Sequence, residues 1–129
     1  MPLTTNIPIA FIPATNPAAA RIFYEGTLGL TFISDDDFAM VFALGPTQTM
    51  LRVVRTAQPF TPAHFTIFGW EVTDIHATVA DLTSRGVEFL RFSFFEQDEA
   101  GVWTAPGGAQ VAWFKDPDGN TLSLSAHPA

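Results

Sequence analysis

Val111-Ala112-Trp113-Phe114-Lys115-Asp116-Pro117-Asp118-Gly119-Asn120-Thr121-Leu122-Ser123-Leu124-Ser125 is the stretch whose reading decides the fold. It reads as strand, turn, strand. The apolar run stops at Asp116, and Pro117 supplies the fixed φ that suits the second position of a turn. Asp118-Gly119-Asn120 tolerate the positive φ of a tight reversal. Beyond the turn, Thr121, Ser123 and Ser125 alternate with Leu122 and Leu124, the period-2 pattern of a strand with one face in a core. The other face is small and polar, which suits a strand lining a cavity or a solvated groove.

Working back from the hairpin, Ser93 to Gly108 is a long excursion carrying Phe94, Phe95, Glu96, Asp98, Glu99 and Trp103. Val87 to Phe92 is expected as a strand. Before it, Ile75, Val79 and Leu82 fall on one helical face at i, i+4 and i+7, with Asp74 as the N-cap and Gly86 as the stop. Phe68, Trp70 and Val72 alternate with Gly69, Glu71 and Thr73 as a half-buried strand. Arg55 to Thr66 holds two prolines and no clear period, and is expected as a connector.

The first half follows the same order. Ile7 to Ala14 is a strand whose Pro13 marks an edge or an end. Asn16-Pro17 reads as N-cap and first helical residue, and the helix is expected to run to Glu25 before Gly26 or Gly29 stops it. Leu30 to Ile33, Phe38 to Leu44 and Thr49 to Val54 are strands, with Asp35-Asp36-Asp37 and Gly45-Pro46 as reversals. Leu28-Gly29-Leu30-Thr31-Phe32 matches Arg85-Gly86-Val87-Glu88-Phe89, and each half closes on a hairpin. A βαβββ unit used twice is an internal duplication. One unit cannot bury both faces of its sheet, so pairing of units within or between chains makes the core and encloses a groove.

Composition narrows the function classes. The chain has 129 residues, 47% hydrophobic, with thirteen Phe, enough to bury a core without staples. Cysteine is absent, which removes disulfides, thiolate metal sites and Cys nucleophiles. A formal charge of −7 speaks against a nucleic-acid partner, because the basic residues Lys115, Arg21, Arg52, Arg55, Arg85 and Arg91 are few and scattered. No stretch reaches the length of a membrane span and no leader pattern opens the chain, so no membrane partner and a cytoplasmic location are expected.

With these elements in place, the sequence resembles the vicinal-oxygen-chelate superfamily, the glyoxalase, bleomycin-resistance and extradiol-dioxygenase group. The carriers are Phe23-Tyr24-Glu25, Leu28-Gly29-Leu30, Trp70-Glu71-Val72-Thr73-Asp74-Ile75, Arg85-Gly86-Val87 and Asp116-Pro117-Asp118-Gly119-Asn120. Each is weak alone; their order and spacing over nearly the whole chain is specific. The resemblance implies an α+β fold of two βαβββ modules, about residues 7–54 and 67–126 joined by 55–66, curling into an open barrel, as a homodimer. It also implies a divalent metal held by inward His and Glu residues on the first and last strands of each module. By motif spacing those four places fall near Ile9, Arg52, Ile67 and Ser123, and a one-residue slip offers only Pro8, Ala10, Thr66 or Phe68. A divalent ion needs three or four convergent imidazole or carboxylate ligands. No metal and no other cofactor is therefore expected.

The remaining candidates are polar and aromatic. With Leu51 and Val53 in the core, Arg52 faces the cavity and can hold a carboxylate or other anion. Glu71 points inward with Gly69 and is the candidate catalytic base, though Arg52 and Glu71 can equally pair with each other or reach solvent. Thr121 and Ser123 line the same face. Phe92, Phe94, Phe95 and Trp103 form an aromatic wall for a ligand, or complete a core or dimer interface. Glu96, Asp98 and Glu99 meet a cationic group or stay solvated. His64 borders the pocket or sits idle in its loop, His76 is expected in solvent in the first turn of its helix, and His127 is almost terminal. The expected function is metal-free binding of a small aromatic or anionic molecule. The alternatives are a lyase, isomerase or dioxygenase of the same superfamily, using an unrecognised metal site or Glu71 and Arg52, and an interaction module.

Overall fold

The computed structural model describes residues 2–129. The chain divides into two compact units, Met1–Phe60 and Thr61–Ala129.

The first unit contains β1 (Ile9–Ala14), α1 (Pro17–Arg21), β2 (Thr31–Asp35), β3 (Ala39–Leu44) and β4 (Thr49–Arg55). Its sheet runs β1-β4-β3-β2, with β1 parallel to β4 and the other pairs antiparallel. Pro13 lies in β1 at the sheet edge, where its missing N–H costs no ladder bond. Asn16 caps α1, its Oδ1 accepting the Ala19 N–H at 3.1 Å, with Pro17 at the first turn. The helix does not continue as α to Glu25. It widens to a π turn over Ile22–Thr27, closed by the Leu28 N–H on the Phe23 carbonyl. The Leu30 N–H then takes the Tyr24 carbonyl, and Gly29 at φ +76° turns the chain into β2. Tyr24, Ile12, Phe42, Leu51 and Val53 make the core beneath the helix, while Ile9, Phe11 and Met50 stand exposed on the other face.

The second unit repeats this order with β5 (Thr66–Glu71), α2 (Ile75–Ser84), β6 (Trp103–Thr104), β7 (Gln110–Lys115) and β8 (Thr121–Ala126). Its sheet runs β5-β8-β7-β6, the same arrangement as in the first unit. Both units are thus βαβββ, and the α+β class follows from two mixed four-stranded sheets with few helices. Asp74 caps α2 through the Ala77 N–H, and Ile75, Val79 and Leu82 are buried against Ala112, Phe114, Leu122 and Leu124. The strand expected over Val87 to Phe92 is corrected: only Phe89 forms a bridge, to Phe114, and the Leu90 N–H reaches the Trp113 carbonyl. The Phe92 N–H is taken by the Gln97 side chain instead of a neighbouring strand. The sheet edge is therefore the two-residue β6.

The β7–β8 hairpin turns on Asp116, whose carboxylate is buried. Oδ1 accepts the Asp118 and Asn120 N–H groups at 3.0 and 2.9 Å, and Oδ2 accepts the Asn120 side-chain amide at 2.9 Å. Gly119 takes φ +86° to let the loop close. No helix among the described residues is long and apolar enough to cross a membrane.

Candidate functional site

The side chains of the second sheet divide by register. Ala112, Phe114, Leu122 and Leu124 bury towards α2, so their neighbours share the opposite face. There Thr66, Thr121 and Lys115 stand in one row across β5, β8 and β7. Gly69, Ser123 and Trp113 form the next row, then Glu71, Ser125 and Val111. A register shift between Thr66 and Phe68 puts Thr66, not Ile67, in line with Thr121. Gly69 is required by its row: a Cβ there would lie 2.4 Å from the Ser123 Oγ and 2.7 Å from its carbonyl oxygen.

Over Thr121, Lys115 and Trp113 lies a groove of about 710 Å³. One wall is the segment from Pro62 to Thr66, and the other is Leu90 with Phe92, Phe94 and Phe95. Pro62 rests on the hairpin turn, its Cγ 3.2 Å from where a Gly119 Cβ would be. The aromatic wall is continuous. Phe95 stacks on Trp113 at 5.1 Å with planes 2° apart, and Phe92 meets Trp113 edge-on at 5.2 Å. Phe94 lies against Phe95 at 4.7 Å and is 74% exposed.

Gln97 holds this aromatic segment to the sheet. Its Oε1 accepts the Phe92 N–H, and its Nε2 donates to the carbonyls of Leu90 and Gly101, all at 2.8 Å. Asp98 adds a second anchor, accepting the Ala100 and Val102 N–H groups on Oδ1 and facing His76 Nε2 at 2.7 Å on Oδ2. Partial burial pushes the Asp98 carboxyl up, but the bonds from His76, Val102 and Ala100 outweigh it and hold it below its ordinary value. Arg91 donates to the backbone carbonyls of Asp98 and Glu99.

Of the residues singled out in the sequence, Thr121 and Phe94 line this groove, as does His64 on the wall from Pro62 to Thr66. Trp103 stands behind it, 4.4 Å from Phe95, and lines a neighbouring hollow with Glu96 and Asp98. Ser123 is buried beside Gly69 and Trp113. Arg52 belongs to the first unit, on β4 opposite Phe11 and Val41. Its charge helps depress the carboxyl of Asp36, after the larger effect of the Ala39 and Phe38 N–H groups. Glu71 is engaged by His127, whose N–H donates at 2.8 Å to Oε2 and whose Nδ1 lies 2.7 Å from Oε1. Those bonds hold Glu71 below its ordinary value near 4.5, the direction opposite to a general base at neutral pH.

Trp113, Lys115 and, His64 apart, the segment from Pro62 to Thr66 were not picked out as site residues from sequence, although the alternation with Ala112 and Phe114 carries the signal for the first two. The pairing of the near-terminal His127 with Glu71, 56 residues earlier in the chain, leaves no local trace in the sequence.

The model of the Glyoxalase/Bleomycin resistance protein/Dioxygenase superfamily matches residues 6–124. The chain belongs to that superfamily. Solved structures with the same fold include a superfamily member from Sphaerobacter thermophilus DSM 20745, at 24% identity and TM-score 0.74, covering 95% of this chain and 98% of that one. A glyoxalase family protein from Enterococcus faecalis matches at 21% and TM-score 0.71, covering 95% and 98%. TnmS3, an antibiotic binding protein from Streptomyces sp. CB03234, matches at 20% and TM-score 0.70, covering 98% of each chain. No curated protein matches the chain.

Superfamily membership raises the question of a metal, and the donor set answers against a fit. Ile9 and Ile67 have no donor atom, Arg52 is a cation, and Ser123 offers one hydroxyl. Among the described residues no group of three or more His, Cys, Asp or Glu is placed to hold an ion.

Proposed function

We propose that this superfamily member binds a small aromatic molecule in the groove of its second unit, without a metal, and acts by sequestering it. The observation that carries this reading is the wall of Phe92, Phe94, Phe95 and Trp113 along a groove of about 710 Å³, a size that suits a drug-like molecule. Flat rings stacked on such a wall gain area burial plus about 0.5–1.5 kcal/mol per aromatic pair. A relative of the same fold described as antibiotic binding supports the choice of ligand class. The state of Glu71 supports binding over acid–base catalysis, since a carboxylate held by two bonds from His127 is a weak base.

Titration of tryptophan fluorescence with a panel of polycyclic aromatic antibiotics tests the proposal. Saturable quenching is expected for at least one, weakened about tenfold or more by Trp113→Leu. A flat response across the panel refutes it. Elemental analysis of protein purified without chelators tests the metal-free part, and stoichiometric zinc, nickel, iron or manganese would overturn it. Pairing of two copies belongs to the same proposal, with the exposed row of Ile9, Phe11 and Met50 as apolar surface for a second chain. Sedimentation as a single copy at micromolar concentration would refute that pairing.

A further inference from the structure

The charge of the groove is opposite to the charge of the chain. The protein carries thirteen acidic and six basic residues, for a net −7. Yet the groove lining contains Lys115, Arg91 and His64 and no Asp or Glu. The two neighbouring hollows of the same unit are different. The one along α2 mixes Glu88 and Glu99 with Arg91 and His76, and the one beside Trp103 carries Glu96 and Asp98 with no basic residue. A lining with basic and no acidic side chains on an anionic chain is a selective feature, because the net charge of the chain otherwise disfavours anions.

The two basic side chains differ in what they can still do. Arg91 spends its Nη groups on the carbonyls of Asp98 and Glu99, so it contributes charge while its fork is occupied. Lys115 is exposed, and its side chain has no hydrogen bond or ion pair among the described residues. It stands at the end of β7, two residues from Trp113 on the same face, opposite Thr121. An ammonium there lies beside the plane on which a ring would stack, with the Thr121 hydroxyl as a further donor.

Resting on the reading of the groove as an aromatic site, we infer that its ligand is an aromatic anion. The ring packs along Phe92, Phe94 and Trp113, and the carboxylate, phenolate or sulfonate is held by Lys115. The flexible ammonium donates charge-assisted bonds to whichever anionic group the ring presents, which a neutral donor would not do as strongly.

Three probes of one shape test this: 2-naphthoate, 2-naphthamide and 2-naphthylmethylammonium, titrated into the full chain by calorimetry at low salt. Naphthoate is expected to bind about tenfold tighter than the amide and tighter still than the amine, with affinity falling as salt rises. Lys115→Gln should bring naphthoate to the affinity of the amide, while Lys115→Arg keeps most of the difference. Lys115 is exposed, so neither variant removes a core contact. Equal binding of the three probes, or a preference for the amine, overturns the inference while leaving an aromatic site standing. A naphthoate preference that survives Lys115→Gln overturns the role of Lys115. If no probe binds, the aromatic reading and the charge preference fall together.

Discussion

Asp116 offers the sharpest test of how the second unit is built. Its carboxylate accepts two backbone N–H groups and the Asn120 amide inside a turn where Asp116 is 6% and Asn120 1% exposed. Asp116→Ala removes both acceptor oxygens, and with them these three bonds, at once. Hydrogen bonds to a charged group are worth about 1.5–3 kcal/mol each, and buried donors left unpaired add their desolvation cost. Water can reach the half-buried Asp118 N–H, which offsets that loss, so the two Asn120 bonds set the net cost at about 3 kcal/mol or more. An unfolding entropy of about 2.1 cal/mol/K per residue gives roughly 0.27 kcal/mol/K for 129 residues, so Tm falls by about 11 °C. Asp116→Asn keeps an oxygen for the backbone donors but sets an amide against the Asn120 amide, costing about 1–2 kcal/mol. Exchanging the pair, Asp116→Asn with Asn120→Asp, restores donor to acceptor and should recover most of that loss. Scanning calorimetry on the four proteins decides the matter. A fall below about 3 °C for Asp116→Ala, or an exchanged pair no better than Asp116→Asn, refutes the reasoning.

Other perturbations follow from the same contacts. Glu71, held below its ordinary value by His127, contributes stability that is complete above its unfolded pKa near 4.5 and is lost as pH falls through the lower folded pKa. NMR titration should place the Glu71 midpoint under 4.5, and His127→Ala, which removes the ring but keeps the backbone donor, should move it part of the way back. Gly69→Ala forces a methyl against the Ser123 hydroxyl and carbonyl and should cost about 2–3 kcal/mol by denaturant unfolding. Ser123→Gly in that background should recover only part, because the backbone oxygen at 2.7 Å stays in place; full recovery would show that the strands part easily. Gln97→Ala should free the Phe92 N–H and raise its hydrogen exchange at least tenfold, with weaker aromatic binding; unchanged exchange would show that the segment is held elsewhere.

The fold was legible wherever a local pattern carries its own physics. Alternation across 111–125 gives the hairpin, Asn16 and Asp74 give two helix starts, and Gly86 at φ +96° gives a helix stop. The pattern fails where a side chain competes for the backbone. Val87 to Phe92 has the residues of a strand, but the Gln97 amide captures the Phe92 N–H that a ladder would need. The helix after Pro17 departs from α through the backbone itself: the Phe23 and Tyr24 carbonyls accept the Leu28 and Leu30 N–H groups, which draw the chain round into β2.

The groove shows the same division more sharply. That Trp113 and Lys115 share a face is implied once Ala112 and Phe114 are in the core, so half the site can be read from one strand. The other half depends on contacts between distant segments. Pro62 finds Gly119 across 57 positions, and Phe95 finds Trp113 only because Gln97 and Asp98 fold the intervening chain back on itself. Charge behaves likewise. Six basic residues scattered in sequence carry no pattern, but acids confined to the outward side of the 93–103 segment leave the groove side to Arg91 and Lys115. The electrostatic character of the site is therefore a property of how that segment is pinned. It follows that Gln97, which does not line the groove, governs the groove's charge as much as its shape. Releasing it should bring Glu96 towards the aromatic face and erode the preference for naphthoate over the amide before it erodes binding of the ring.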